Sequence, residues 1–306
     1  MTAQTSHVPM PASMAGEPEG GSLRGLTWFL REARKAPFYA AAALILAMAV
    51  GTAVLGPYLP LRDPEAQVLG DRLLAPMERG ADGTLYIAGT DNLGRDTLSR
   101  TVHGARLSIG IAASAAVVAG LLGTALGVVA AYRGGLVDMA VMRMVDLQMA
   151  FPSLVLAIFL LYIIGSSVTN LILLLVIFSW AVFARMSRAQ TLSLRNQPFV
   201  EGAVALGATD TRIILRHIVP HLIPVMAIVA VFDFAGVMLA EAGLSFLGLG
   251  VLPPEISWGL MLSQGREYIN TGGWWLLLVP GAALSLTCLS ANLTSRWLQV
   301  LTRIQE

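Results

Sequence analysis

Long apolar stretches separated by polar ones run through the chain from residue 38 onward, at about 38–56, 107–132, 139–164, 168–185, 221–248 and 274–294. Each comes close to or exceeds the roughly 20 apolar residues a helix needs to cross a hydrocarbon core of about 30 Å. Lipid offers no partner to a backbone N–H or C=O, so such stretches satisfy themselves only as helices. The pattern therefore predicts an all-α fold, a polytopic membrane helical bundle of six transmembrane helices in one domain over 37–306. Polar segments at 57–106, 186–219 and 249–273 connect them.

The second stretch holds no charge from Leu107 to Tyr132 and is dense in Gly and Ala, with a GxxxG pair at Gly123 and Gly127. Small residues at that spacing let helix backbones approach closely in lipid, which predicts a helix inside the bundle. The fifth stretch carries two carboxylates, Asp233 and Glu241. Eight residues apart, they fall near one face of a helix, where a charge is costly and faces a cavity or a partner. Structural pairing, with an arginine such as Arg106, and contact with a solute both fit. Trp274 and Trp275 suit an interfacial belt, and Glu255 to Thr271 an outer re-entrant or amphipathic segment with Trp258 at the interface.

Ahead of the first stretch, residues 1–36 open with a run rich in Pro, Ser, Gly, Ala and Glu that cannot offset the cost of ordering, and a flexible tail is expected. Arg24, Arg31, Arg34 and Lys35 before an apolar run resemble a signal peptide. The run starts too deep, is too long and lacks a small-x-small cleavage site, so an uncleaved anchor is expected.

Composition narrows the chemistry. Apolar residues make up 56% of the chain and charged ones 13%, outside soluble usage, and the formal net charge of +1 argues against nucleic acid as a partner. One cysteine, Cys288, excludes an internal disulfide, and four scattered histidines show no ligand spacing. No Walker-type Gly-rich loop ending in Lys-Ser or Lys-Thr occurs, so neither ATP nor Mg is expected on this chain. No nucleophile-base pattern of a membrane enzyme and no repeated halves of an ion-driven secondary transporter occur either.

Six spans put both termini on one side. With the amino terminus cytoplasmic, thirteen of the twenty basic residues fall inside, while arginines in 57–106 are balanced by acidic residues, as the positive-inside rule requires. The segment 186–219 then lies inside. Pro198 can start a helix there, Glu201 suits its first turn, and Gly207 can end it in the left-handed conformation. Thr209 or Asp210 can cap a second helix to about Val219. Arg212 and Arg216 share one face of it, a like-charge pair that calls for an acidic partner. Ile213, Ile214, Leu215 and Ile218 add apolar surface, which fits a membrane surface or a groove of another protein.

Glu201-Gly202-Ala203, then Gly207, then Ile218-Val219-Pro220 resemble the "EAA" loop of bacterial ATP-binding-cassette import permeases. Gly202 departs from the usual Ala, at a cost of about 1 kcal/mol to the helix. The match narrows to the dipeptide, oligopeptide and nickel branch, in its second, shorter-loop subunit. It rests on Gly89-Thr90-Asp91-Asn92-Leu93-Gly94-Arg95-Asp96 with Gly104-Ala105-Arg106, on Tyr132-Arg133-Gly134-Gly135, on Glu241 to Gly250, and on Pro253-Pro254 with Ser257-Trp258-Gly259. The resemblance implies a type I ABC importer permease fold in the bacterial inner membrane, without catalysis of its own. It implies a second homologous permease subunit, two ATPase subunits that hold ATP and Mg, and an extracytoplasmic solute-binding protein. Small peptides are the implied solute, with nickel chelates, oligosaccharides or amino-acid conjugates as alternatives.

ATPase contact is implied for Glu201, Gly202, Ala203, Leu206, Gly207, Ala208, Asp210, Arg212, Arg216, His217 and Pro220. Asp233 and Glu241 are candidates for the translocation path or outer gate. Asp91, Arg95, Asp96, Arg106 and Trp258 are candidates for a brace at the outer mouth. The bland alternative for the Gly94-Arg95-Asp96 segment is a turn with a surface ion pair worth under about 1 kcal/mol.

Overall fold

The computed structural model describes residues 37–303, so the expected tail at 1–36 lies outside the described residues. Helix α1 (Pro37–Leu55) leads into a polar segment containing a two-stranded antiparallel hairpin, β1 (Glu78–Arg79) and β2 (Leu85–Tyr86). Then come α2 (Thr97–Arg133), α3 (Gly135–Ala150), α4 (Ser153–Ile164) and α5 (Val168–Arg195). A short α6 (Pro198–Ala205) precedes α7 (Asp210–Phe246), α8 (Trp258–Gly265) and α9 (Trp275–Arg303). Helices α1, α2, α5, α7 and α9 are long and apolar enough to cross a membrane, and the bent pair α3 and α4 makes a sixth if counted as one span.

The bundle is the helical one expected, but element ends move. The expected loop at 57–106 gives way to helix at Thr97, because Asp96 caps α2 by accepting from the backbone N–H of Leu98 and Ser99 at 3.2 and 3.4 Å. At about 1.5 Å per residue the 37 residues of α2 reach about 55 Å, well beyond a hydrocarbon core of about 30 Å. Helix α5 likewise runs past 185 to Arg195, with Ser187 and Thr191 still buried.

The expected span at 139–164 is broken. Phe151 is extended (φ −95°, ψ 141°) ahead of Pro152, whose ring disfavours helix in the preceding residue, and α3 meets α4 at 89°. With twelve residues, about 18 Å, α4 is too short to cross by itself. Helix α3 is fastened to α5 by two ion pairs, Arg188 with both oxygens of Asp138 and Arg185 with Asp146 at 2.7 Å.

The second helix of segment 186–219 does not stop at Val219 but continues as α7. A π-helical turn at Ile214–Ile218 precedes Pro220. Widening the turn there relieves the clash a proline ring makes with the carbonyl four residues earlier, here that of Arg216.

The core lies between α2, α5, α7 and α9, and its tightest seam is α2 against α5. A Cβ on Gly123 would sit 2.3 Å from the Trp180 carbonyl oxygen, and one on Gly127 would sit 2.3 Å from that of Ala184 and 2.1 Å from the Ser187 hydroxyl. The GxxxG pair thus brings the two backbones into direct contact. Around it pack Ala112, Ala115, Ala119, Leu174 and Phe183, all buried.

The hairpin and α8 cover one end of the bundle, the hairpin end, and α6 projects from the opposite end. Ahead of the hairpin, the buried Asp71 accepts from the Tyr86 hydroxyl at 3.0 Å and from the Ala81 N–H at 2.9 Å. Arg62 donates to the same hydroxyl at 2.6 Å. Burial first, and then the Asp71 hydrogen bond, push the Tyr86 phenol above its usual pKa. Trp275, expected at a lipid interface beside the exposed Trp274, is buried, and its Nε1 donates to the Thr90 carbonyl at 3.0 Å. A polar partner on the loop outweighs the interfacial preference of its indole.

Candidate functional site

At the α6 end, Pro198 occupies the first turn of α6, where its missing N–H costs nothing, and Glu201 stands beside it. The helix closes with the N–H of Gly207 on the Val204 carbonyl (2.9 Å) and that of Ala208 on Ala203 (3.1 Å), with Gly207 at φ +76°. A side chain there would be strained, so Gly207 fixes the bend between α6 and α7. Val200, Ile213 and Ile218 are buried and seat the element on the bundle.

The rest faces out. Glu201, Gly202, Leu206, Gly207, Asp210, Arg212, Arg216 and Pro220 are exposed, while Ala203, Ala208 and His217 are half-buried. Leu206 is 90% exposed at the tip and Leu215 63% exposed. Uncovered apolar side chains ringed by charges mark a contact surface. Neither Arg212 nor Arg216 has an ion-pair partner among the described residues.

Thr209 is the N-cap residue of α7 but makes no side-chain cap bond. Asp210 instead accepts from the Tyr132 hydroxyl at 3.2 Å, and Arg195 donates to the Tyr132 carbonyl at 3.2 Å. Tyr132 so gathers the ends of α2 and α5 and the start of α7. The contact spans 78 residues, and no local sequence signal announces it.

Gly202 has nothing within 4 Å of where a Cβ would stand. Gly202→Ala is therefore expected to stabilise α6 by roughly 0.5–1 kcal/mol, through helix propensity alone. Slower hydrogen exchange of the α6 amides checks this; unchanged exchange refutes it.

At the hairpin end, Asp91 is the hub. Its Oδ2 accepts from Arg95 Nε at 2.6 Å and lies 3.7 Å from Arg100 Nε, while Oδ1 accepts from the N–H groups of Leu93 and Arg95. Asp96 stands apart from this pair as the α2 cap. Burial pushes its carboxyl above the usual carboxylate range, against the two amides that hold it down. Trp258 is packed inside the protein, where the sequence suggests an exposed interfacial anchor. It is 3% exposed, its Nε1 donates to the Thr101 carbonyl at 2.7 Å, and its N–H donates to Ser108 at 2.9 Å. Arg106 does not join the group; it is exposed, without an ion-pair partner among the described residues. Five residues beyond Thr101 is about 140° around the helix, so it faces away from α8.

Asp233 and Glu241 sit in different surroundings. Ser179 of α5 donates to Asp233 Oδ1 at 3.2 Å, and Oδ2 is buried without a protein partner. Ser179 also lines a cavity of about 230 Å³ between α4, α5 and α7, walled by Ser153 and by apolar residues such as Ala157, Leu174, Phe178 and Val237. Glu241 is fully buried, with Oε1 accepting from Ser245 at 2.8 Å and Ser257 at 3.1 Å, and Oε2 bare. Ser257 caps α8 by accepting from the Leu260 N–H. The protein partners of both carboxylates are serines, not the arginine that the pairing alternative named. A serine four residues after Glu241 and another just ahead of α8 were visible as residues, but nothing local joins Ser257 to α7.

Comparison with known proteins adds the decisive observation. A family model described as binding-protein-dependent transport system inner membrane component matches residues 123–303, more than half of the chain. The chain belongs to this family. The matched region contains α6, the Gly207 bend and all of α7, so the projecting element lies within the part common to these inner membrane components. A Brucella suis protein provisionally named as a peptide transport system permease is 38% identical over 82% of each chain. The di/tripeptide transport system permease protein DppC of Pseudomonas aeruginosa is 33% identical, again over 82% of each. The nickel transport system permease protein NikC of Escherichia coli K12 is 37% identical over 76% of this chain and 81% of its own. The multi-pass helical chain described above is thus one of a group of inner membrane transport components.

Proposed function

We propose that this chain is a permease subunit of an ATP-driven importer that carries small peptides across the bacterial inner membrane by alternating access. Both termini are cytoplasmic in this reading, and the α6 end meets two ATPase subunits that bind ATP and Mg. A second, homologous permease completes the pathway, and an extracytoplasmic binding protein delivers the solute to the hairpin end. Asp233 lies beside the path and Glu241 holds the outer gate.

The observation that carries the reading is the α6 element: a bend fixed by Gly207, seated on Val200, Ile213 and Ile218, that presents Leu206, Arg212, Leu215 and Arg216 without cover. Rigid seating with an unpartnered surface suits a part that receives movement from another protein. Continuity of this element with α7 lets a push on α6 reach Asp233 and Glu241 along one helix. Peptide transport follows the names of two relatives. The NikC relative, equally similar, supports a nickel chelate as the alternative solute.

The double substitution Arg212→Glu and Arg216→Glu is expected to cut co-purification with the ATPase subunits at least tenfold, about 1.4 kcal/mol or more, through charge reversal at a contact. Both residues are exposed, so the fold should survive. Wild-type co-purification and uptake by the double variant would refute the assignment.

A further inference from the structure

Two adjoining lobes of about 350 and 330 Å³ open at the hairpin end, one between Glu65, Gln67 and the 253–264 stretch, the other between Asn92, Leu93 and Ser263 to Tyr268. Arg95 lines both lobes. Its neighbour Arg100 is spent: it is 4% exposed, donates to the Pro64 carbonyl and the Gln264 side chain, and faces Asp91. Arg95 is different. Its Nε is bonded to Asp91, its side chain is 14% exposed, and the two terminal nitrogens of the guanidinium have no hydrogen-bond partner among the described residues. Asp91 is itself held by two backbone N–H groups, so the guanidinium plane is set in advance. An oriented fork with two free donors takes a carboxylate in bidentate fashion.

The rim has the opposite character. Glu65, Glu255 and Glu267 line the lobes, all exposed and none in an ion pair among the described residues. Acidic rims with a cationic floor suit a ligand carrying both charges. Beside the lobes lies a space of about 20 Å³ lined by Thr97, Arg100 and Gln264, and the buried Thr97 hydroxyl has no partner among the described residues. That volume is room enough for one water, which would link the cleft floor to the first turn of α2.

We infer that this cleft is a receiving site for a small zwitterion of dipeptide size, with the carboxylate on Arg95 and the ammonium group toward the glutamate rim. The inference rests on the reading above, that the chain handles small peptides and turns its hairpin end outward. It places a selective step on the permease surface, where a neutral sugar would gain little from the fork.

The test uses the whole transporter in nanodiscs without its binding protein, with L-alanyl-L-alanine as probe and saturation-transfer NMR as readout. Binding is expected to fall about tenfold for alanyl-alanine amide, which loses the paired charge. Arg95→Lys keeps the charge but loses the fork, and a similar loss is expected for the free dipeptide. Glu255→Gln with Glu267→Gln should weaken alanyl-alanine but not its N-acetyl form. Equal binding of acid and amide to the wild-type complex overturns the inference without relying on any variant. So does an Arg95→Lys complex that binds dipeptide normally while losing only affinity for the binding protein, which would make the cleft a protein contact. A complex that imports peptides yet binds acid and amide alike refutes this site alone; one that imports no peptide with its binding protein present refutes the functional reading.

Discussion

Gly127→Ala is expected to destabilise the isolated chain by roughly 3 kcal/mol, the upper part of the usual range for overpacking a close seam. The new methyl carbon would stand 2.1 Å from the Ser187 hydroxyl and 2.3 Å from the Ala184 carbonyl oxygen. A hydroxyl can rotate away, but a helix backbone cannot, so α2 and α5 must separate along their length. Gly123→Ala meets the Trp180 carbonyl at the same distance one turn away, and the two substitutions share a seam. Their effects are therefore not additive: once one methyl has forced the helices apart, the second costs less. Steric-trap unfolding in bicelles would measure all three variants. Gly110→Ala serves as the control, since nothing lies within 4 Å of its Cβ position. A Gly127→Ala chain as stable as the control would mean that α2 and α5 do not meet as described.

That seam was legible in the sequence because its cause is local: two glycines four apart in an uncharged stretch have one main use in lipid. The α6 bend was legible for the same reason, since Pro198, Glu201 and Gly207 each constrain the backbone where they stand. What could not be read was whatever depends on a distant partner. The apolar run across 139–164 looked continuous because apolarity measures length and not direction, and only Pro152 hinted at the 89° turn. Residue type points Trp258 and Trp275 toward interfaces, yet each donates its indole N–H to a carbonyl brought from more than 150 residues away. The family-like Gly104-Ala105-Arg106 segment puts Arg106 with Arg95 in the brace, but the helix that begins at Thr97 turns it aside.

Glu241 shows what that difference means for function. Removing the carboxyl in Glu241→Ala is expected to release α8 from α7, because the hydroxyls of Ser245 and Ser257 lose their shared acceptor in a buried site and a cavity opens beside them. The combined cost is roughly 3 kcal/mol, and if it falls on local opening, exchange of the α8 amides should quicken by about a hundredfold. Glu241→Gln keeps an acceptor in the place of Oε1 and exchanges only the bare Oε2 for an equally bare amide nitrogen. It is expected to lie within about 1 kcal/mol of wild type, with α8 exchange and transport little changed. The pair of variants separates two roles that the sequence left open. If the carboxylate acted on a passing solute through its charge, Glu241→Gln would stop transport while leaving α8 protected. If Glu241 is the strut between α7 and α8, the order reverses, and only the alanine variant fails. The geometry favours the strut: one carboxylate oxygen is already held by two serines, and the side chain is fully buried and absent from the lining of the cavity between α4, α5 and α7. Because α7 is continuous from the Arg212 and Arg216 face to this strut, a loosened α8 should also blunt any movement delivered at the α6 end. If the α6 end meets ATPase subunits as proposed, the alanine variant should still co-purify with them while the complex imports poorly, which distinguishes it from charge reversal at Arg212 and Arg216.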